Sequence, residues 1–539
     1  MIDKSKVFLI ASGAYANAEL TSDFGLIPSA FLPIGHKRLI ELQVEKIKDF
    51  KITKVITLPE NYKLLKRDED LLNKNNILIH RTNSDLNLAQ SILNFLSFYE
   101  INNTLEELFI LHGDTSFESI DLKSDLLYYG FTDTFYKWGH LEDIIGEDII
   151  HRVSKQESFK QPVISGYFSF SKPSLFKEML NKYNSFENSL KNYHQKVNFK
   201  PILKPGWLDF GHSNLYYKSK IELNVARNFN QVIANNNYIK KTSDNFNKIE
   251  SEYKWFKQLP EKLLIFTPIV WAFNNTNNKA SYKIEFIGAP TLQEKWVFGN
   301  LPDFVYYNII NQIFLFLNKT KKITFEEYDN DSAVSLLKEL YIKKTKERVK
   351  IFSKQTGFNM LKPVFINNKQ YPSLKEFVNK IITLIDEELA NKQKLTLMHG
   401  DLCFSNILSD TRSNNIKFID PRGGLDNEFD SENKIIGDYK YDIAKLGHSL
   451  IGNYDHIVTG FFNLKIDKHK EQSFAFSLQH SDKDFLKDFF FKKVSEIGVS
   501  PEFIKTSIVN LFISMLPLHN EDKNRQIALL LNAYKIFYK

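Results

Sequence analysis

The chain has 539 residues, of which 43% are hydrophobic and 25% are charged, and its formal net charge is +7. This length exceeds what one hydrophobic core supports, so we expect two to four domains in a folded globular protein. The small positive charge suits anionic ligands such as nucleotides, and the lack of any dense Lys/Arg block argues against a nucleic-acid partner. The single cysteine, Cys403, excludes an intramolecular disulfide and a zinc site of several cysteines.

The first predicted element is a buried strand from Val7 to Ser12. The apolar run there is too short for the core of a signal peptide, and no stretch of the chain reaches the roughly 18 apolar residues of a membrane span. We therefore expect a cytoplasmic protein without a membrane span. The sequence leaves the oligomeric state open, and a homo-oligomer is compatible with it.

Residues 1–225 alternate short apolar runs with amphipathic helical patterns. The predicted strands include "VFLIAS", "KVITLPE", "LFILHGD" and "VISGYFSFS", and the predicted helices include "RLIELQVEKIKDF" and "LAQSILNFLSFY". Such alternation predicts an α/β domain with an open, mainly parallel sheet and helices on both faces. Ligands bind such sheets beyond the carboxyl ends of the strands, where the "HGD" ending in Asp114 lies.

The pattern changes after residue 225. Residues 226–300 contain a predicted hairpin, "FNQVIANNNYIKKTS", then a charged helix, "NFNKIESEYKWFKQLP", and then a strand, "YKIEFIGAPTL". Residues 301–539 show mostly helical patterns. We therefore predict a first domain over 1–225 and a second, α+β domain whose smaller part spans 226–300 and whose larger, helical part spans 301–539.

A second His-Gly-Asp occurs in "HGDLCFSN", where Asp401 and Asn406 are five residues apart. Phosphoryl transfer from a nucleotide needs a carboxylate near the attacking hydroxyl and oxygen ligands for magnesium, and this spacing is that of the base and metal ligand in kinase-like enzymes. Asp420 ends the next apolar run, "IKFI", where it can face the same metal. The alternative is a polar loop with two turn aspartates, but the ordered set that begins with His399 is more specific.

These residues resemble a known family. "HGDLCFSNIL" and "IKFIDPRG" are similar to the aminoglycoside phosphotransferase and choline kinase family, which has a protein-kinase-like fold, and the resemblance covers about residues 226–539. It implies a small-molecule kinase that uses ATP and Mg²⁺. It also implies that Asp401 is the catalytic base and that Asn406 and Asp420 bind magnesium. His399 is then the histidine that supports the loop. In "GDYKYDIAKLGHSL", which matches the family's next helix, we expect Asp442 to hold the catalytic loop by hydrogen bonds.

The same resemblance requires a strand lysine for the nucleotide phosphates. "YIKKTS" offers Lys240 and Lys241, only one of which can face the cleft because neighbouring strand residues point to opposite sides. We favour Lys241, with Glu252 as its helix partner and Glu250 as the alternative partner. The stretch that includes Glu285 resembles the hinge where an adenine ring docks.

The first His-Gly-Asp belongs to different chemistry, because no Asp-x4-Asn pattern follows Asp114. Together with "GWLDFGHSNLYYKSK", "FLPIGHKRLIELQVEKI" and "VISGYFSFSKPSLF", it resembles the sugar-nucleotide nucleotidyltransferases, which have a Rossmann-like fold. The resemblance covers about residues 1–225. It implies that Asp114 and Asp209 hold magnesium on the phosphates of an incoming CTP or UTP, and that the loop containing Gly13 binds the triphosphate.

The opening loop departs from that family's pattern. Gly13 is present, but Asn17 lies near the usual Arg and Ser29 occupies the usual Lys position after a proline. Each lost donor removes roughly 3–4 kcal/mol of transition-state stabilisation unless another group replaces it. Lys37 and Arg38 are the candidate replacements nearest in sequence.

The two resemblances lead to one hypothesis. The second domain phosphorylates a small alcohol or sugar, and the first couples that phosphate to a nucleoside monophosphate, releasing pyrophosphate. The product is a nucleotide-activated precursor for capsule or another surface polysaccharide, so the partners are nucleotides and a small hydroxylated acceptor. One alternative is a single-activity kinase whose first domain is a degenerate nucleotide-sugar-binding module. Another is a non-catalytic protein that assembles biosynthetic partners.

Overall fold

The computed structural model describes residues 2–101, 103–134, 136–146, 160–225, 231–234, 238–276, 279–422, 425, 433–467, 469–479 and 483–539. The chain forms two compact units. The first consists of Met1–Lys220 with the short segment Phe298–Asn300, and the second consists of Ile221–Val297 with Leu301–Lys539.

The first unit is an α/β structure. Its strands are β1 (Asp3–Ala11), β2 (Pro33–Ile34), β3 (Lys37–Arg38), β4 (Ile52–Pro59), β5 (Ile77–Thr82), β6 (Glu107–His112), β7 (Thr115–Ser116), β8 (Leu126–Thr132), β9 (Gln161–Phe170), β10 (Lys200–Leu203) and β11 (Leu208–Asp209). Its helices are α1 (Ala18–Phe24), α2 (Leu39–Ile47), α3 (Lys66–Lys74), α4 (Leu88–Tyr99), α5 (Leu141–Ile145), α6 (Pro173–Tyr183), α7 (Phe186–Val197) and α8 (Ser213–Val225).

Seven of these strands form one sheet in the order β10-β8-β9-β6-β1-β4-β5. Strands β1, β4, β5 and β6 run parallel, as β8 and β10 do, whereas β9 pairs antiparallel with both of its neighbours. The prediction of a mainly parallel sheet is therefore confirmed, with one antiparallel strand that it did not include. The four residues from Val7 to Ile10 are all fully buried, because helices cover both faces of a parallel strand at the centre of such a sheet.

The second unit begins with a four-stranded antiparallel sheet. Its strands, in the order β12-β13-β15-β14, are β12 (Gln231–Ala234), β13 (Tyr238–Ser243), β14 (Val270–Thr276) and β15 (Lys279–Glu285). Strands β12 and β13 form the predicted antiparallel pair, and the "NNN" turn between them lies outside the described residues. The predicted charged helix is α9 (Phe246–Gln258), which packs on this sheet.

The rest of the second unit is mainly helical, as predicted. Its helices are α10 (Leu292–Phe298), α11 (Asp303–Thr320), α12 (Asn330–Lys338), α13 (Lys344–Thr356), α14 (Leu374–Leu389), α15 (Tyr439–Leu450), α16 (Tyr454–Val458), α17 (Asp484–Glu496), α18 (Pro501–Met515) and α19 (Lys523–Tyr538). A π-helical turn, Glu339–Lys343, lies between α12 and α13. Of the described helices, none has both the length and the apolar character that crossing a membrane requires.

Helix α18 is the centre of this helical part. It is buried along most of its length and packs against α13, α14, α15 and α19. A helix that is apolar on nearly all sides is expected in the middle of a bundle.

Short strands in the second unit escaped the sequence analysis. They are β16 (Val364–Ile366), β17 (Lys369–Tyr371), β18 (Thr396–Leu397), β19 (Ile407–Asp410), β20 (Asn415–Phe418), β21 (Ile436–Gly437), β22 (Phe462–Ile466) and β23 (Ser473–Leu478). Strands β19 and β20 pair antiparallel, and β20 contains most of the apolar run "IKFI" that precedes Asp420. This hairpin carries Asn406 just before its first strand, and Asp420 lies two residues after its second strand.

Candidate active sites

The loop that follows β18 is fixed to helix α15 by a buried carboxylate. One Asp442 oxygen accepts the backbone N–H of His399 at 2.7 Å, and the other accepts that of Gly400 at 2.8 Å. Gly400 has a φ of 82°, a left-handed conformation that glycine adopts without strain. Asp442 therefore does what we expected of it, holding the backbone of the loop just before Asp401.

His399 is buried, and its side chain binds the backbone of the same loop. Its Nδ1 accepts the backbone N–H of Asp401 at 3.2 Å, and its Nε2 lies 3.1 Å from the carbonyl oxygen of Ile419. Burial lowers the pKa of His399 to about 4, so the ring is neutral and Nε2 donates. Because Ile419 also donates its N–H to the carbonyl of Asn406 at 3.0 Å, the segment leading to Asp420 is tied to the loop at two points.

Each oxygen of the Asp401 carboxylate has its own donor. Oδ1 lies 2.9 Å from the Lys445 ammonium, and Oδ2 accepts from Nδ2 of Asn406 at 3.0 Å. The same amide nitrogen donates to the Asp401 carbonyl at 2.9 Å, so the amide oxygen of Asn406 is the end that points away from Asp401. Burial would raise the pKa of Asp401, but the ammonium of Lys445 outweighs it and holds this pKa below its ordinary value.

Lys241 of β13 lies between two carboxylates. Its ammonium contacts Asp420 Oδ1 and lies 3.3 Å from Glu252 Oε2, an oxygen that also accepts the Tyr282 hydroxyl at 3.0 Å. Burial would lower the pKa of Lys241, but Asp420, with a smaller contribution from Glu252, raises it well above its usual value. Asp420 has a φ of 55°, an uncommon conformation outside glycine that Asp tolerates better than most residues.

The structure distinguishes the predicted alternatives for this pair. Glu252 is 4% exposed and faces Lys241, whereas Glu250 pairs with Lys254 one turn along α9 at 3.2 Å. Glu285 ends β15, and its Oε2 accepts the N–H of Ile269 at 3.0 Å. Glu285 lies within the stretch that we compared with a hinge, but its carboxylate binds the backbone just before β14, and its role toward an adenine stays a prediction.

Lys445 was missed by the sequence analysis. It lies on α15 three residues after Asp442, and residues three apart share a helix face. This spacing was the sequence signal that could have identified Lys445, because the helix face on which Asp442 contacts the loop also carries Lys445.

The donors near Asp401 suit magnesium. The amide oxygen of Asn406 and the carboxylate of Asp420 are hard oxygen ligands, and Mg²⁺ commonly takes only one or two protein ligands beside waters and phosphates. Among the described residues, no three His, Cys, Asp or Glu side chains are grouped as a self-sufficient metal site requires. The two oxygen donors fit a magnesium ion that completes its coordination with waters and nucleotide phosphates.

In the first unit, the pairing of two short antiparallel strands that are distant in sequence brings Asp114 and Asp209 together. Strands β7 and β11 pair so that Asp209 lies opposite Thr115, and the Phe210 N–H donates to the Asp114 carbonyl at 2.8 Å. A Cβ on Gly211 would lie 2.5 Å from Asp114 Oδ2, so this close approach requires glycine. Burial, together with the neighbouring Asp209, raises the pKa of Asp114.

A cavity of about 450 Å³ opens beside this pair. Asp114, Asp209, His112, Ser165 and Trp207 are in its wall, and the described lining residues include no Lys or Arg. His112 Nε2 and Ser165 Oγ are buried without a hydrogen-bond partner among the described residues. Each of these two groups can exchange a hydrogen bond with a hydroxyl group in this cavity.

The opening loop of the first unit contains no cation at the two positions that depart from the family pattern. The Asn17 side chain caps α1 by accepting the Leu20 N–H at 2.9 Å, and its Nδ2 donates to the Gly211 carbonyl at 2.7 Å. Ser29 begins a 3-10 turn. A Cβ on Gly13 would lie 2.6 Å from Ser91 Oγ, so the loop could not pass this close to α4 with another residue there.

Arg38 is not available to replace the missing cations. It is 1% exposed, its Nε lies 3.1 Å from the buried Asp68 carboxylate, and its Nη1 donates to the Phe31 carbonyl at 2.7 Å. The expectation that Arg38 binds phosphate is therefore wrong, because moving its guanidinium would leave Asp68 buried and unpaired. The side chain of Lys37 is exposed, and its role stays a prediction.

No protein-family model matches the sequence, and a search of curated proteins finds no match. Among solved structures, HddC from Yersinia pseudotuberculosis is 20% identical over 41% of this chain and 100% of its own, with a TM-score of 0.28. A thermostable mutant of aminoglycoside phosphotransferase APH(4)-Ia is 10% identical over 59% of this chain and 98% of its own, with a TM-score of 0.34.

An ethanolamine kinase of Plasmodium vivax is 14% identical over 65% of this chain and 93% of its own, with a TM-score of 0.31. Similarity at these TM-scores establishes neither the fold nor the activity of this chain. The function proposed below therefore depends on the geometry of its own residues.

Arg38→Met should destabilise the first unit by about 3–5 kcal/mol, because Asp68 is left buried without its cation. Calorimetric unfolding of the full chain measures the loss in the transition of that unit. The matched control is Lys37→Met, which removes an exposed charge and should change stability by less than about 0.5 kcal/mol. Equal stability of the two variants would contradict the assignment of Arg38 to the core.

Proposed function

We propose that the second unit is a small-molecule kinase and that the first unit is a nucleotidyltransferase acting on the kinase's product. The observation that carries the proposal is the grouping of Lys241, Glu252, Asp401, Asn406 and Asp420 within one unit. A lysine held by a buried glutamate, a carboxylate with a fixed orientation and two hard oxygen donors are the parts that phosphoryl transfer from ATP needs.

In the kinase, Asp401 accepts the proton of the acceptor hydroxyl. The hydroxyl oxygen bonds to the γ-phosphorus of ATP as the bond between that phosphorus and the bridging oxygen breaks, and ADP leaves. Lys241, placed by Glu252, binds the nucleotide phosphates. Asn406 and Asp420 hold the magnesium, which supplies positive charge to the phosphate oxygens when bound. His399, which is neutral, and the Asp442 carboxylate keep the loop in place during this exchange, and the stretch that includes Glu285 receives the adenine.

In the transferase, Asp114 and Asp209 would hold a magnesium ion, which would offset the charge of the CTP or UTP phosphates when bound. The phosphorylated acceptor occupies the cavity beside them, where His112 and Ser165 can bind its hydroxyl groups. A phosphate oxygen of the acceptor bonds to the α-phosphorus, and pyrophosphate leaves. The product is a nucleotide-activated alcohol or sugar, a form suited to building capsule or another surface polysaccharide.

A second candidate function has one observation in its favour. Asn17 and Ser29 are structural where the resembled family has cations, and Arg38 is part of the core. The first unit would then bind a nucleotide-sugar without turning it over, and the protein would be a kinase only. Titration calorimetry distinguishes the two, because this alternative predicts nucleotide-sugar binding with no pyrophosphate release from any substrate pair.

Asp401→Asn should lower ATP-dependent phosphorylation by at least about 10²-fold, because the amide cannot accept the hydroxyl proton. Its melting temperature should stay close to that of the unchanged protein, because the side chain lies in a loop and the amide oxygen can still accept from one of the two neighbouring donors. Steady-state kinetics and thermal unfolding measure the two quantities. A variant with unchanged turnover would contradict the assignment of Asp401 as base.

Asp114→Ala should abolish pyrophosphate release while phosphorylation of the acceptor by ATP continues, because the two reactions use different metals in different units. Asp420→Ala is the matched variant and should do the reverse when an already phosphorylated acceptor is supplied. A coupled pyrophosphate assay and an ADP assay follow the two reactions separately. Loss of both reactions in well-folded Asp114→Ala would show that the sites are not independent.

A further inference from the structure

Lys445 is the one described cation in contact with Asp401, and the loop itself offers none. The residues from Leu402 to Asn406 include no Lys or Arg, so the positive charge beside Asp401 comes from a helix that starts more than thirty residues later. The Lys445 ammonium lies 2.9 Å from Asp401 Oδ1, and its side chain is 17% exposed. A half-buried lysine held against a single carboxylate is a more fixed contact than an exposed surface pair.

The contact determines where the second oxygen of Asp401 points. Oδ1 is held by Lys445, and Oδ2 accepts from Asn406 at 3.0 Å, so the plane of the carboxylate is set from both sides. Removing either donor frees the carboxylate to rotate about its bond to Cβ. Proton transfer requires the accepting oxygen to lie within hydrogen-bond reach of the acceptor hydroxyl, so such a rotation lowers the rate directly.

One helix fixes both the backbone and the side chain at this position. Asp442 binds the two N–H groups that precede Asp401, and Lys445, three residues later on α15, binds the Asp401 carboxylate. Burial would lower the pKa of Lys445, but Asp401 raises it, so the lysine is charged and the contact is an ion pair. The two contacts have separate effects, because Asp442 places the loop whereas Lys445 places only the reacting group.

We propose that Lys445 is a positioning residue for phosphoryl transfer, which holds the Asp401 carboxylate in the orientation that accepts the hydroxyl proton. The inference rests on the proposed kinase function and adds to it a residue outside the loop motif. It assigns Lys445 no contact with ATP or the acceptor, so its whole effect passes through Asp401.

Lys445→Met keeps most of the length of the side chain and removes its charge. It should lower kcat by up to about 100-fold, the scale of a misplaced catalytic group, while the KM for ATP stays within about threefold. Lys445→Arg, which retains a donor, should recover most of the lost kcat. Lys440→Met is the matched control on the same helix, because Lys440 bonds to Gln393 at 3.0 Å instead, and its kcat should be unchanged.

The double variant Lys445→Met with Asp401→Asn tests whether the effect passes through Asp401. It should be no slower than Asp401→Asn alone, because a missing base has no orientation to lose. An additional loss of tenfold or more would overturn the proposal and show direct contact with substrate. Wild-type kcat in Lys445→Met would also overturn it, as would a fall in kcat that Lys440→Met shares.

Loss of folding is a separate outcome with its own readout. If Lys445→Met and Lys445→Arg both unfold at much lower temperature than Lys440→Met, Lys445 is structural and the proposal fails. Failure of the kinase function itself looks different, because the unchanged protein would then show no ATP-dependent phosphorylation of any acceptor, and both proposals would fall together.

Discussion

The Asp442 carboxylate is the contact on which the second site depends. It is fully buried, and its two oxygens accept adjacent backbone N–H groups of the loop that follows β18. Without it, these N–H groups would be buried without partners, at about 1–3 kcal/mol each. Because Asp442 is on α15, which packs against the central helix α18, the position of Asp401 is set by the rigid interior of the unit rather than by the loop.

Much of this arrangement could be predicted because it follows from local sequence. Asp401 and Asn406 lie five residues apart on one loop, and Asp420 follows the next apolar strand. A short hairpin joins the two segments, so the three residues come close together in space. Lys445 could not be found in the same way, because its contact with Asp401 depends on how a separate helix packs. Arg38 was misjudged for a related reason, since its sequence neighbours give no sign that Asp68 is buried against it.

In the fold, the alternating pattern of the first 225 residues predicted the parallel strands, whose buried runs are continuous. It could not predict that β9 lies antiparallel between β6 and β8, because strand direction depends on pairing between distant segments.

The two candidate sites differ in the cations that surround their carboxylates. Lys241 and Lys445 supply cations beside Asp420 and Asp401, whereas the described lining of the cavity beside Asp114 and Asp209 has no Lys or Arg.

The most direct test follows the phosphorus atoms. The purified protein is incubated with magnesium, ATP and either CTP or UTP against a panel of small alcohols and sugars, and phosphorus NMR records the products. The account predicts a phosphomonoester of one acceptor with ATP alone, and a diphosphate diester with free pyrophosphate once the second nucleotide is added. The absence of an ATP-dependent phosphomonoester for every acceptor would contradict the kinase, and a phosphomonoester that neither CTP nor UTP converts further would contradict the coupling.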